Sequence, residues 1–469
     1  MLKSVGLVGA IMQTKTSIRR AFGWIGLLAM SLHCGGQTTP SSDSGPSNPG
    51  PMMVTLADAL QRAQRTNPEY RSALTDYGIA REDRVQGRAA ILPNVTYNNQ
   101  FIYTQPNGTR SNLGAYIANN GVHEYISQGN AAQVVSLSSF ADYRRASAAE
   151  AVAKAKAEIA ARGLVVTVVR SYYGLVVAQR KYATEQRAVE EAERFLNISQ
   201  KLEQGGEVAH SDVIKAQIQF QGTQRDFQES RLGMEQSRLD LAVLIFTDFN
   251  ENFSVVDDLQ QPQVLPEYPE VQTLAAQKNP QLRAAVEALR AAKYDVTSAW
   301  GGFLPAGSID YFYGIDASHF ATSQPQIDPN TGLPTGVKIN NLGYSVVASL
   351  QIPIWNWGAS RSRVRQADLR RDQAKVELSF AQRQLVGNLR SFYDEAETSR
   401  SELESLNRSA ELADEGLRLT NLRYQAGEAT VLEVVDAQNT LTAARNAYAD
   451  GQARYRLAIA TLQTLTGSF

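Results

Sequence analysis

Apolar and polar positions along the chain follow two periods in turn. Residues 56–90 and 271–300 repeat apolar positions with helical spacing and contain few breakers. Each stretch ends near a Leu-Pro pair, Leu92-Pro93 and Leu304-Pro305, where proline stops helical hydrogen bonding and biases the preceding residue toward extended backbone. The period then drops to two. Val95, Tyr97, Asn99, Phe101 and Tyr103 share one face of a strand, with Thr96, Asn98, Gln100 and Ile102 on the other. After Pro305, Ile309, Tyr311, Tyr313 and Ile315 alternate with Ser308, Asp310, Phe312 and Gly314. A return strand runs from Leu342 through Tyr344, Val346, Ala348 and Leu350; its counterpart in the first half is expected around residues 133–140. Polar loops rich in Asn, Gly and Pro are expected at residues 105–130 and 316–341. Long helices then follow, predicted over residues 141–203 and 359–425, the first roughly 90–95 Å long at 1.5 Å per residue. A glycine turn (Gly205-Gly206, then Gly427) leads into return helices predicted over residues 212–246 and 431–465.

These elements read as one unit written twice. Asn67-Pro68 recurs as Asn279-Pro280, and Arg170-Ser171-Tyr172-Tyr173 recurs as Arg390-Ser391-Phe392-Tyr393. At the turns Gly206 matches Gly427, Asp212 matches Glu433, and Ala216-Gln217 matches Ala437-Gln438, all at one offset. The expected organisation is an export signal over residues 1–34, a tether over 35–54, a first repeat over 55–262 and a second over 263–469.

The start of the chain changes how the strands are read. Arg19 and Arg20 precede an apolar core over residues 21–32, too short to span a bilayer as a helix, so this is an export signal, started at Met1 or Met12. Cys34 is the only cysteine; it follows the apolar core and precedes Gly35-Gly36, which suits lipidation, against the alternative of an ordinary cleaved signal. The Gly, Pro, Ser and Thr of residues 35–51 suit a flexible tether. Strands of about ten residues have the length that a tilted strand needs to cross a bilayer. A soluble sheet with one wet face fits the same alternation. Export, together with aromatics on the apolar face, favours the outer membrane and its lipid.

The long helices need partners. Alanines at every seventh position (Ala146, Ala153, Ala160; Ala367, Ala374, Ala381) and the row Leu378, Leu385, Phe392 demand coiled-coil neighbours. Four strands cannot close a barrel, and open edges are not tolerated in lipid, so copies must associate. Closure alone allows eight strands from two copies or twelve from three.

Catalytic chemistry is not expected. The four histidines (His33, His123, His210, His319) are scattered, with no metal-ligand spacing, and no phosphate-binding loop or nucleophile elbow is present. No metal or cofactor is expected, and a net charge of −1 argues against a nucleic-acid partner. Glu433 and Asp436, three apart behind the plausible N-cap Thr430, read as acid–base partners or, more simply, as solvated acids favoured by a helix N-terminus.

The duplicated order of helix, Leu-Pro, hairpin, long helix, glycine turn and return helix carries one further signal. With the strand exit Leu350-Gln-Ile-Pro-Ile-Trp-Asn-Trp-Gly358 and the turn Tyr424-Gln-Ala-Gly followed by Glu433-Val-Val-Asp-Ala-Gln, it resembles the TolC-type outer-membrane efflux protein family from Thr55 to the end of the chain. The resemblance implies a mainly α fold with a membrane β-barrel. Three subunits would close a 12-stranded barrel on a coiled-coil tunnel in the outer membrane of a Gram-negative bacterium. The homotrimer would serve as an exit duct for efflux or secretion, driven by an inner-membrane pump of RND or ABC type through a periplasmic adaptor. An exported coiled-coil scaffold or adhesin without transport is the competing reading. The resemblance further implies that the glycine turns form the periplasmic tip, with Glu433 and Asp436 as a selectivity ring whose crowding raises some of their pKa values. Asp212 and Tyr424 would form a closing hydrogen bond. Where some relatives carry a second, basic fastening this chain has Ala429.

Overall fold

Two asparagine–proline pairs each cut a predicted N-terminal helix into a short and a long piece. The computed structural model describes residues 52–103, 123–248, 252–261 and 263–467. After a short strand, β1 (Met52–Val54), Thr55 and Asp58 form a reciprocal capping box that starts α1 (Leu56–Thr66). Asn67 then ends α1 and caps α2 (Pro68–Ala89), its side chain accepting from the Tyr70 amide at 2.8 Å with Pro68 in the first turn. The hairpin β2 (Asn94–Tyr103) and β3 (His123–Val135) leads into α3 (Leu137–Gln204) and α4 (His210–Ile245). The second half repeats this order: β4 (Phe253–Val255), α5 (Tyr268–Lys278) and α6 (Pro280–Gly301), with Asn279 capping α6 as Asn67 caps α2. Strands β5 (Ala306–Ala317), β6 (Ser323–Ile327), β7 (Pro334–Asn340) and β8 (Leu342–Gln351) precede α7 (Ala359–Gln425) and α8 (Val431–Thr466).

The fold class is the expected one, long helices joined to a small sheet. Four strands pair in the antiparallel order β2-β3-β5-β8. The register puts Tyr97, Gly129, Tyr313 and Tyr344 in one row, and Val95, Ala131, Tyr311 and Val346 in the next. One face is therefore apolar and aromatic, and the other carries Asn98, Gln128 and Ser345.

Several boundaries need correction. The return strand of the first half is residues 123–135, not 133–140, and it takes in part of the expected 105–130 loop; residues 137–140 already belong to α3. Its alternation is hard to see because Ser127, Gly129 and Ala131 occupy the apolar face, small residues set between bulky neighbours on β2 and β5. The expected 316–341 loop contains the ribbon β6–β7, closed around Asp328, whose carboxylate accepts from the Asn330 amide at 2.9 Å. The tether expected to reach residue 54 ends in β1, which pairs in parallel with β4 and buries Val54. The export signal and Cys34 lie outside the described residues.

The helices form an arc. Near the sheet the neighbours run α2-α3-α6-α7; toward the turns they run α4-α3-α8-α7. The Ala367 and Ala374 row is buried as the heptad predicts. In α3 the fully buried row is Ala141, Ala148 and Ala155, whereas Ala146 faces α2, where a Cβ on Gly87 would lie 3.5 Å from its Cβ. One window of α3 is apolar enough to cross a bilayer, but residues 164–177 supply its core face instead, packing with α1, α4, β1 and β4.

Candidate functional site at the helix turns

Both long helices end in the same way. Gly206 (φ +77°) and Gly427 (φ +75°) adopt the left-handed conformation that closes a helix end. The Glu207 and Glu428 amides donate to Leu202 and Arg423 carbonyls at 2.8 Å each, and the Gly206 and Gly427 amides donate to Glu203 and Tyr424 carbonyls. Gly205 does not share this duty: its φ is −75°, and its counterpart is Ala426.

The turns differ in how the next helix begins. Thr430 caps α8 through a full capping box: its hydroxyl accepts from the Glu433 amide, and Glu433 Oε1 accepts from the Thr430 amide at 3.1 Å. Arg423 reaches across the turn, donating to Glu433 Oε2 at 3.3 Å and to the Glu428 carbonyl at 3.0 Å. Ala209 caps α4 with no side-chain bond. The first turn is instead braced by His210 Nδ1 and Glu203 Oε1 at 2.6 Å.

These contacts correct one expectation and add a local effect to another. The crowding expected to raise some of the ring acids' pKa values needs neighbouring copies; within one chain the push on Glu433 is the opposite. The Thr430 amide, the Thr430 hydroxyl and the Arg423 guanidinium stabilise its charge and hold it below the ordinary carboxylate value. Asp436 lies exposed one turn further along the same helix. The Tyr424 hydroxyl, moreover, is not bonded to Asp212. It is buried and shares a 2.9 Å hydrogen bond with Ser199 Oγ, and its ring lies 5.0 Å from Phe195. Burial pushes the Tyr424 phenol up, the Ser199 bond lowers it, and the charge of Asp212 raises it. Asp212 itself accepts from Lys215 at 3.2 Å.

Ser199 and Arg423 are the site residues that the sequence reading missed. Ser199 comes from the other repeat, and its meeting with Tyr424 leaves no local signal. Arg423 was legible in principle: a Schellman turn followed by a capping box brings a residue three before the cap near the third residue of the next helix. A small core of Phe195, Ala216, Tyr424, Val431 and Val434 lies under the turns, with Ala429 packed against it.

Chemically, the tip offers exposed carboxylates, a bracing guanidinium and a buried hydroxyl pair. Among the described residues, no group of three or more His, Cys, Asp or Glu could hold a metal ion. Such an arrangement can fasten helices and set local charge.

The sequence profile of the family described as outer membrane efflux protein matches residues 271–468. The chain is 22% identical over 423 residues to the alkaline protease secretion protein AprF of Pseudomonas aeruginosa, covering 88% of this chain and 84% of that one. It is 22% identical over 421 residues to outer membrane protein TolC of Escherichia coli, covering 88% and 82%. Among solved structures, the CmeC outer membrane channel of Campylobacter jejuni superposes with a TM-score of 0.72 at 19% identity, covering 88% of this chain and 85% of that one. With the sheet, the helical arc and the duplicated turns, these likenesses make the chain similar to the TolC-type outer-membrane efflux proteins, in fold throughout and in family sequence over residues 271–468, and they support an outer-membrane location.

Proposed function

We propose that three copies of this chain close into one outer-membrane channel-tunnel that serves as an exit duct for efflux or secretion. The observation that carries this reading is that sheet and arc are open at corresponding edges. Among the described residues, β2 and β8 each have a strand on one side only. The helix that follows β8, α7, leaves Leu369, Val376, Leu412 and Leu419 exposed, and the opposite edge leaves Ile79 on α2 and Ile218, Leu232 and Leu239 on α4 exposed. Apolar rows at seven-residue spacing on both edges suit packing of α7 on one copy against α2 and α4 of the next. In lipid the β2 and β8 amides need partners as well. Two copies would give eight strands, whose interior side chains fill; three leave a passage. Native mass spectrometry of the detergent-solubilised protein should give three copies, and a monomer or dimer as the sole species would overturn the closure.

The repeated element order supports two structural copies, joined near residues 262–263; taking β1 and β4 as equivalent first strands would place the join just before Phe253 instead. Both efflux and secretion fit the family and the relatives named above, and such ducts are driven by an inner-membrane pump, RND or ABC, docked through a periplasmic adaptor. The scaffold reading finds no support among relatives that are channels.

The turns are the proposed gate, held shut within each chain by Tyr424–Ser199 and by Arg423 across the second turn, with Glu433 and Asp436 facing the mouth. Each such bond contributes about 1 kcal/mol. Combining Tyr424→Phe with Arg423→Ala should therefore shift the closed-to-open ratio by about thirtyfold, read as higher mean conductance in planar bilayers. Unchanged conductance in that double variant would remove these contacts from the gate.

A further inference from the structure

A groove of 670 Å³ lies among α3, α4 and α8, well away from the turns. Its size falls within the range of small-molecule sites, roughly 300–1,000 Å³. The floor is apolar, formed by Val177, Ala178, Ala453 and Leu457. Gly174 and Gly233 line it in the interiors of two long helices, where glycine costs about 1 kcal/mol relative to alanine. No close approach demands either glycine: a Cβ on each would meet nothing within 4 Å. What their missing side chains provide is the open volume of the groove itself.

The charges around it are unbalanced. Lys181 is paired with Asp450 at 2.9 Å, and Arg454 with Glu395 and Glu402 at 2.7 and 2.8 Å. Glu185 is half-buried, bonded to Asn446 Nδ2 at 3.1 Å. The other amide atom, Asn446 Oδ1, is buried without a partner among the described residues. Asp226 and Glu229 stand on the rim with no ion pair among the described residues. Against these three carboxylates the groove has, among the described residues, one cation without an ion pair, Arg170.

The position of the groove follows from helix geometry. Tyr172 on α3 donates to the Val54 and Val256 carbonyls, so that face of α3 is covered by the β1–β4 layer. At 3.6 residues per turn, Gly174 and Lys181 lie about half a turn round the helix from Tyr172. The groove is thus on the face of the arc away from the β1–β4 layer. If the arc closes into a duct, as proposed above, with the β1–β4 layer on its outside, this face lines the passage.

We propose that the groove is a binding site for cationic amphiphiles, molecules with an apolar ring body and a positive charge, held in transit along the tunnel. The apolar floor takes the ring body, and Asp226, Glu229 and Glu185 take the charge. The placement in the passage rests on the duct reading; the groove itself is built within a single chain.

The test uses the full-length protein in dodecyl maltoside, titrated with rhodamine 6G, a lipophilic cation, and followed by fluorescence anisotropy. Binding should be saturable and should weaken with added salt. Asp226→Asn with Glu229→Gln should weaken it by about tenfold. Gly174→Leu with Gly233→Leu should abolish the saturable component by filling the groove, while the helical signal is kept, since leucine favours helix over glycine. The charge variants keep the test decisive if the filled variant misfolds. Absence of saturable binding, equal binding of the anion carboxyfluorescein, or binding unchanged in the charge variants would overturn the proposal. Copy number measured on the same sample bears on the duct reading alone.

Discussion

Tyr172→Ala will loosen the middle of the molecule more than any other single truncation in the helical body. The side chain is 1% exposed. Its ring meets Tyr173 edge-on at 5.4 Å, and its hydroxyl donates to the Val54 carbonyl at 3.2 Å and the Val256 carbonyl at 2.8 Å. It is the point at which α3 holds both β1 and the segment after β4. Truncating a large buried aromatic costs about 3–5 kcal/mol, and the two carbonyls lose a donor as well. Tyr172→Phe keeps the packing and should cost only about 0.5–1.5 kcal/mol. Hydrogen exchange is the measurement: in the alanine variant, amides of β1, α1 and β4 should exchange far faster while those at the turns change little. Equal exchange in wild type and Tyr172→Ala would show that β1 and β4 are held by other contacts. The hydroxyl has a pKa raised to about 12 by burial, so it remains a donor throughout the physiological range.

The second large effect separates the two faces of the sheet. Val346 and Val347 are neighbours on β8, but Val346 shares the aromatic face with Tyr311, whereas Val347 lies opposite Asp310 on the other. Arginine at the midplane of a lipid-facing barrel surface costs about 2–4 kcal/mol. Val346→Arg should therefore cut the amount of folded, membrane-inserted protein severely. Val347→Arg gains a carboxylate across the strand pair and should be tolerated. Heat-modifiable mobility on gels and the yield in the outer-membrane fraction are the readouts. If both variants assembled equally, the aromatic face would not be the one in lipid.

Much of this architecture was legible because long segments repeat their signals. The predicted helix over residues 359–425 coincides with α7, and the return helices were placed to within a few residues. Where the signal was weak, the reason is local. Strand β3 hid behind Ser127, Gly129 and Ala131, whose small size makes sense only once Tyr97 and Tyr313 flank them. Residues 56–90 kept helical periodicity through Asn67-Pro68 because α1 and α2 are both helices; only the capping geometry of Asn67 separates them. At the site, Gly206, Gly427, Thr430 and the exposed acids of α8 were readable from turn chemistry. The partner of Tyr424 was not, because Ser199 lies in the other repeat.

Sequence alone thus determined the period of the long helices and of the clearest strands, and the two glycine turns, since these depend on backbone preferences and on apolar rows that repeat along the chain. Tertiary structure decided which side chains meet. Tyr424 turned to Ser199 rather than Asp212, Arg423 took hold of Glu433, and Gly174 and Gly233 opened a groove between helices. Such contacts join residues far apart in the chain or across a turn, and packing of α3 against α4 and α8 sets their distances; no periodicity encodes it.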